Sequence, residues 1–193
     1  MIQFTDPAVS QAKFDAEVAR FRERAEEYRT RGILLLEANF PRAVVAFAAV
    51  HLARTPIHFA AAFDFTNYNA RPLGLQFEHP FTREPLAAPA LAIWQRNEVE
   101  VPDPTVDGGV RVEQRPPVNL VLQHPGHPAM LCQRGNRQYH EHPAHNGESW
   151  ELYRNRGIGT LANLIENLHL YGIVGLGEVY NIIAQFGVLN PQR

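Results

Sequence analysis

The stretch Ile33-Leu-Leu-Leu-Glu-Ala-Asn-Phe-Pro41-Arg-Ala-Val-Val-Ala-Phe-Ala-Ala-Val-His-Leu52-Ala-Arg-Thr-Pro56-Ile57-His-Phe-Ala-Ala-Ala-Phe-Asp-Phe65 decides the fold class. It is rich in Val, Ile, Phe, Leu and Ala and is cut by Pro41 and by Arg54-Thr55-Pro56. β-branched and aromatic residues suit a pleated, half-buried surface, and proline ends a strand where a turn must follow. The spacing predicts three consecutive antiparallel strands over 33–40, 42–52 and 57–65. A shorter fourth strand, 73–77, follows the turn at Asn67-Tyr68-Asn69. The abundance of Ala in the second and third segments leaves helix open there.

Upstream, Asp6-Pro7 is a helix opening, with Asp as the cap and Pro at the first helical position. Phe14, Val18, Phe21, Ala25 and Tyr28 recur at spacings of three and four, forming one apolar stripe on a charged helix that Gly32 ends. Downstream, a passage carrying Pro80, Pro85, Pro89, Pro102, Pro104, Pro116 and Pro117 reads as ordered loop. It holds one short apolar element near 90–94 and a turn at Asp107-Gly108-Gly109. Residues 118–122 predict a short strand. Two helical stripes close the chain: Leu161, Leu164, Ile165 and Leu168, then Val179, Ile182, Ile183 and Phe186. Gly172, Gly175 and Gly177 between them read as an interhelical turn, because no strand precedes them and no acidic residue follows. Helix, strands, long polar loop, helices is an α+β order, unlike the alternation of a doubly wound fold.

Composition narrows the function classes. A chain of 193 residues fits one domain, 1–193, which buries roughly 70% of its unfolded surface without needing disulfides. The single cysteine cannot bridge internally and suits a reducing cytoplasm. A net charge of −2 gives no reason to expect nucleic acid or a membrane as partner. The apolar runs fall short of the roughly 20 residues that span a bilayer. The start lacks a basic region followed by an apolar one, so secretion is not expected.

The chemistry concentrates in 124–150. Cys132 is followed by His140, Glu141, His142 and His145, and His124 and His127 lie just upstream. Two chemistries fit. Cys132 is a nucleophile if His124, His127 or His140 assists its deprotonation and Asn136 or loop N–H groups face the oxyanion. Alternatively Cys132, Glu141, His142 and His145 are four ligands of types that zinc accepts. Pro143 disfavours a helical His142, so a turn would have to gather them. The two roles compete, since a chelated sulfur is a poor nucleophile. His51 and His58 read as ordinary strand residues. Arg20, Arg22 and Arg24, among Glu17, Glu23, Glu26 and Glu27, read as a solvated helix face.

Several strings resemble ubiquitin-conjugating enzymes. His124-Pro125-Gly126 stands eight residues before Cys132, and Trp150 precedes the helix at 160–170. The passage from Asp64-Phe65-Thr66-Asn67-Tyr68 through Pro72 to Phe77 is similar to the one closing that family's meander. Gly126 departs from the family's His-Pro-Asn motif, removing its side-chain amide. The ordered set Cys132, Glu141, His142 and His145 also resembles the narrower bacterial Cys-Glu-His-His family, regarded as metal-binding and found with ubiquitin-like modification genes. The resemblance implies a ubiquitin-conjugating-like fold and a transferase that accepts a ubiquitin-like protein on Cys132 as a thioester. It also implies an activating enzyme as second partner, docked on the first helix, and a role in phage defence. The other function it implies is a zinc-binding adaptor of the same pathway.

Overall fold

The computed structural model describes residues 4–49, 57–105, 107–145 and 147–175, without the side chain of Arg96. Helix α1 (Pro7–Glu23) begins where the sequence predicts, with the Asp6 carboxylate accepting from the Ala8 N–H at 2.9 Å. The expected single helix breaks at Arg24, and α2 (Ala25–Thr30) follows. The break rotates the stripe: Phe14, Val18, Phe21 and Tyr28 are buried, whereas Ala25 is exposed. Gly32 turns the chain at φ 78°, and a Cβ there would lie 2.1 Å from the Ala48 carbonyl oxygen, so only glycine fits.

Strands β1 (Ile33–Asn39), β2 (Arg42–Ala48), β3 (Ile57–Asp64) and β4 (Gly74–Glu78) form one antiparallel sheet in sequential order. The Ala-rich segments are strands. In β2 and β3, Ala43, Val45, Phe47, Phe59, Ala61 and Phe63 belong to the main core on one face, and Val44, Ala46, Ala60 and Ala62 to a smaller cluster on the other. Small side chains on alternate positions let both faces be covered, which a helical period would not. The main core packs α1 and α4 (Leu161–His169) onto that first face, with Phe14 edge-on to Phe65 and Phe47 stacked on Phe59. In α4, Leu161, Leu164, Ile165 and Leu168 are buried as the stripe predicts, and Thr160 caps the helix through the Asn163 N–H. A π-helical turn, Leu170–Val174, continues it. His51, Gly177 and the second stripe from Val179 to Phe186 lie outside the described residues.

The Pro-rich passage differs from expectation. After a short 3₁₀ turn (Ala88–Ala90), β5 (Trp94–Pro102) and β6 (Val110–Asn119) form a two-stranded ribbon whose turn contains Asp107-Gly108-Gly109. Alternation in Glu98-Val-Glu-Val and Val110-Arg-Val-Glu drives it, and Pro116 and Pro117 are tolerated because β6 is an edge. The strand expected at 118–122 is divided between the end of β6 and β7 (Val121–Leu122), which pairs with β8 (Met130–Leu131). Together these elements are an α+β fold with a meander sheet. Among the described residues, no helix is long and apolar enough to cross a membrane.

Candidate functional site

Cys132 follows β8 directly, and its N–H donates to the Leu120 carbonyl at 2.7 Å. The backbone is thus pinned while the half-buried thiol stays reachable. Burial pushes the thiol above its ordinary value, so the neighbouring imidazoles do not depress it as the sequence suggested. The resting group is a thiol that needs a base. Among the described imidazoles, His145 is the one in reach, with Nε2 3.9 Å from Sγ. Its ring is stacked on Tyr139 at 3.8 Å, and Tyr139 donates its hydroxyl to Glu148 at 3.1 Å. Glu148, hydrogen-bonded by Arg134, is pulled down to about 2 and stays ionised.

Asn136 is not an oxyanion donor. It is fully buried; its amide donates to the Leu131 and Gln133 carbonyls at 3.0 and 2.6 Å, and its Oδ1 accepts from the Tyr139 N–H. It caps the one-turn helix α3 (Arg137–His140) and has nothing left to offer a substrate. His140 is not a base either. Its Nε2 accepts from the Gly135 N–H at 3.2 Å, so Nδ1 carries the proton and donates to the Glu148 carbonyl at 2.7 Å. Both ring nitrogens are thus committed to backbone partners.

The remaining histidines group elsewhere. In the turn His124-Pro125-Gly126-His127, the His127 N–H donates to the His124 carbonyl at 3.0 Å, and Gly126 adopts φ 77°. Pro second and a positive-φ Gly third is a type II pattern, which accounts for glycine at this position. His124, His127, Glu141 and His142 line a cleft of about 450 Å³ whose walls do not include Cys132. His142 Nδ1 accepts from the Ala144 N–H, so its proton sits on Nε2 and points at His124 Nε2, 3.2 Å away. Glu141 faces the Arg71 guanidinium, which donates through Nε at 2.7 Å and also through Nη2.

As they stand, the four residues expected to bind zinc do not form a shell. Cys132 pairs with His145, His142 with His124, and Glu141 with Arg71. Among the described residues, no three His, Cys, Asp or Glu side chains are grouped so as to hold a metal ion.

Two residues outside the sequence-derived set position the site. Arg137, 3% exposed, donates to the Asp64 carboxylate at 2.7 Å and to the carbonyls of Asp64, Thr66 and Pro72. It thereby ties the loop to the end of β3 and to the segment before β4. Burial alone would raise the Asp64 carboxyl; Thr66 and Arg137 outweigh it and hold the acid below its ordinary value. Trp150 donates its indole N–H to the Asn69 carbonyl at 2.9 Å, closing the loop's far end. An Asn three residues before Tyr139 is a helix-capping signal that could have found Asn136's role; no periodicity marks Arg137.

The fold and site thus define an α+β protein with a cysteine–histidine pair at the edge of a meander sheet. The family described as Y4jH-like matches residues 5–176, and the chain belongs to it. It is 37% identical over 199 residues to "Uncharacterized protein y4jH" of Sinorhizobium fredii (strain NBRC 101917 / NGR234), covering 100% of this chain and 97% of that relative.

Proposed function

We propose that the protein is a ubiquitin-conjugating-like transferase. Cys132 accepts the C-terminus of a ubiquitin-like protein as a thioester, and an amine then attacks that thioester. The observation that carries this reading is the accessible, half-buried Cys132 with His145 Nε2 3.9 Å from its sulfur. His145 takes the thiol proton as the sulfur attacks the activated acyl group, whose leaving group departs with its electron pair. It can later relieve the attacking amine of a proton. The order of α1, the four-strand meander, the β7–β8 loop, Cys132 and α4 supports the resemblance read from the sequence. Loop N–H groups take the oxyanion role in place of Asn136. The partners are a ubiquitin-like protein and its activating enzyme, in a cytoplasmic bacterial pathway that serves phage defence. Mixing the chain with a cognate ubiquitin-like protein, activating enzyme and ATP is expected to give a thiol-reducible adduct that Cys132→Ala abolishes. Wild-type conjugation in Cys132→Ala would refute the reading.

A zinc-held adaptor of the same pathway is the alternative, favoured by the proximity of Cys132 and His145. It requires Arg71 to release Glu141 and His142 to turn from His124. Stoichiometric zinc in purified protein, with a melting temperature that falls on chelation, would favour it. Metal-free protein of unchanged stability would remove it.

A further inference from the structure

Among the described residues, the ribbon of β5 and β6, and β6 above all, has little cover. Its strands run about 30 Å at about 3.3 Å per residue. Every residue from Val110 to Val118 in β6 is exposed, including Val110 at 67% and Val112 at 60%. Among the described residues, β6 pairs with β5 alone, leaving its outer edge open. An isolated two-stranded ribbon is marginal in water, and exposed edges with valines are normally blunted. Pro116 and Pro117 blunt the base of this edge, since neither has an N–H to donate. Val110–Arg115 remains open.

The sequence of that open edge is self-complementary. In an antiparallel pair with a two-fold axis at Val112, Val112 faces Val112 of a second copy. Arg111 of each copy then faces Glu113 of the other, giving two opposite-charge pairs on one face. Moving the axis by one residue sets Arg111 against Arg111 or Glu113 against Glu113. Within the chain, Arg111 and Glu113 lie opposite Val101 and Val99, and neither makes an ion pair among the described residues. Their charges are therefore available to a partner.

We infer that β6 is a homodimerisation edge, on which two copies of this chain join their ribbons antiparallel about Val112 into a four-stranded sheet. The inference is independent of the proposed chemistry at Cys132. Sedimentation velocity of the full chain over a concentration series tests it. Wild type is expected to show reversible monomer–dimer exchange. Glu113→Arg creates two like-charge pairs and weakens the dimer by about tenfold or more. The swap Arg111→Glu with Glu113→Arg restores it, and because both positions face valines the ribbon's own pairing is unchanged. Circular dichroism confirms that each variant is folded. A wild type that stays monomeric up to its solubility limit would overturn the inference. So would a dimer indifferent to Glu113→Arg, or a swap that fails to restore association.

Discussion

Two parts of one polar loop behave in opposite ways. From Asn136 to His140, polar groups are spent on architecture: the Asn136 amide, the Arg137 guanidinium and both His140 ring nitrogens are committed to backbone or carboxylate partners. Around them, the Cys132 sulfur lies 3.9 Å from His145 Nε2, and His124 and His142 stand at an open cleft. Chemistry-bearing residue types in one window therefore do not share a role. Those whose donors and acceptors are saturated hold the loop still, and precision at the sulfur depends on that stillness.

Substitution can break this division, beginning with its strongest element. Arg137→Met removes a buried guanidinium, leaves the Pro72, Asp64 and Thr66 carbonyls without it and takes one partner from the Asp64 carboxylate, which Thr66 still holds; a loss of about 3–5 kcal/mol in urea unfolding is expected. Asn136→Ala removes a helix cap and uncovers two carbonyls, for about 2–3 kcal/mol by the same measurement. His140→Ala deletes two hydrogen bonds and should cost about 1–2 kcal/mol, whereas His142→Ala, on the cleft side, should stay within about 0.5 kcal/mol. Equal losses from His140→Ala and His142→Ala would erase the distinction.

A smaller effect sharpens it through pH. The folded Asp64 carboxyl is held below its unfolded value, so its contribution is present above about pH 4 and fades as pH falls through the folded value. The melting-temperature difference between wild type and Asp64→Asn should be flat from neutral pH to about pH 4 and shrink below it. A difference that grows on acidification would reverse the sign and discredit the Arg137 clamp.

The meander was legible because apolar runs cut by Pro41 and by Arg54-Thr55-Pro56 have few other solutions, and the α4 stripe because its period is helical. The β5–β6 ribbon was not. Its alternation is short, and the flanking prolines masked it, since edge strands tolerate what central strands do not. The break at Arg24 was equally silent. At the site, the sequence singled out one window, but hydrogen-bond saturation is a tertiary property. Nothing local tells that both His140 ring nitrogens meet backbone partners while His145 Nε2 faces the Cys132 sulfur. Arg137 was missed because a lone arginine reads as surface, and its acceptors lie some seventy positions away in the chain, at Asp64, Thr66 and Pro72.

The most direct test is the rate of Cys132 alkylation by iodoacetamide against pH in wild type, His145→Ala and His140→Ala. The wild-type thiol, lifted by burial, should react slowly at neutral pH and speed up as pH passes its raised value. His145→Ala should be slower than wild type near pH 7, meet it in alkali, and melt only slightly below wild type, for the lost Tyr139 stacking. His140→Ala should lower the melting temperature further. A His145→Ala profile that overlies wild type at every pH would contradict the pairing on which the proposed chemistry stands.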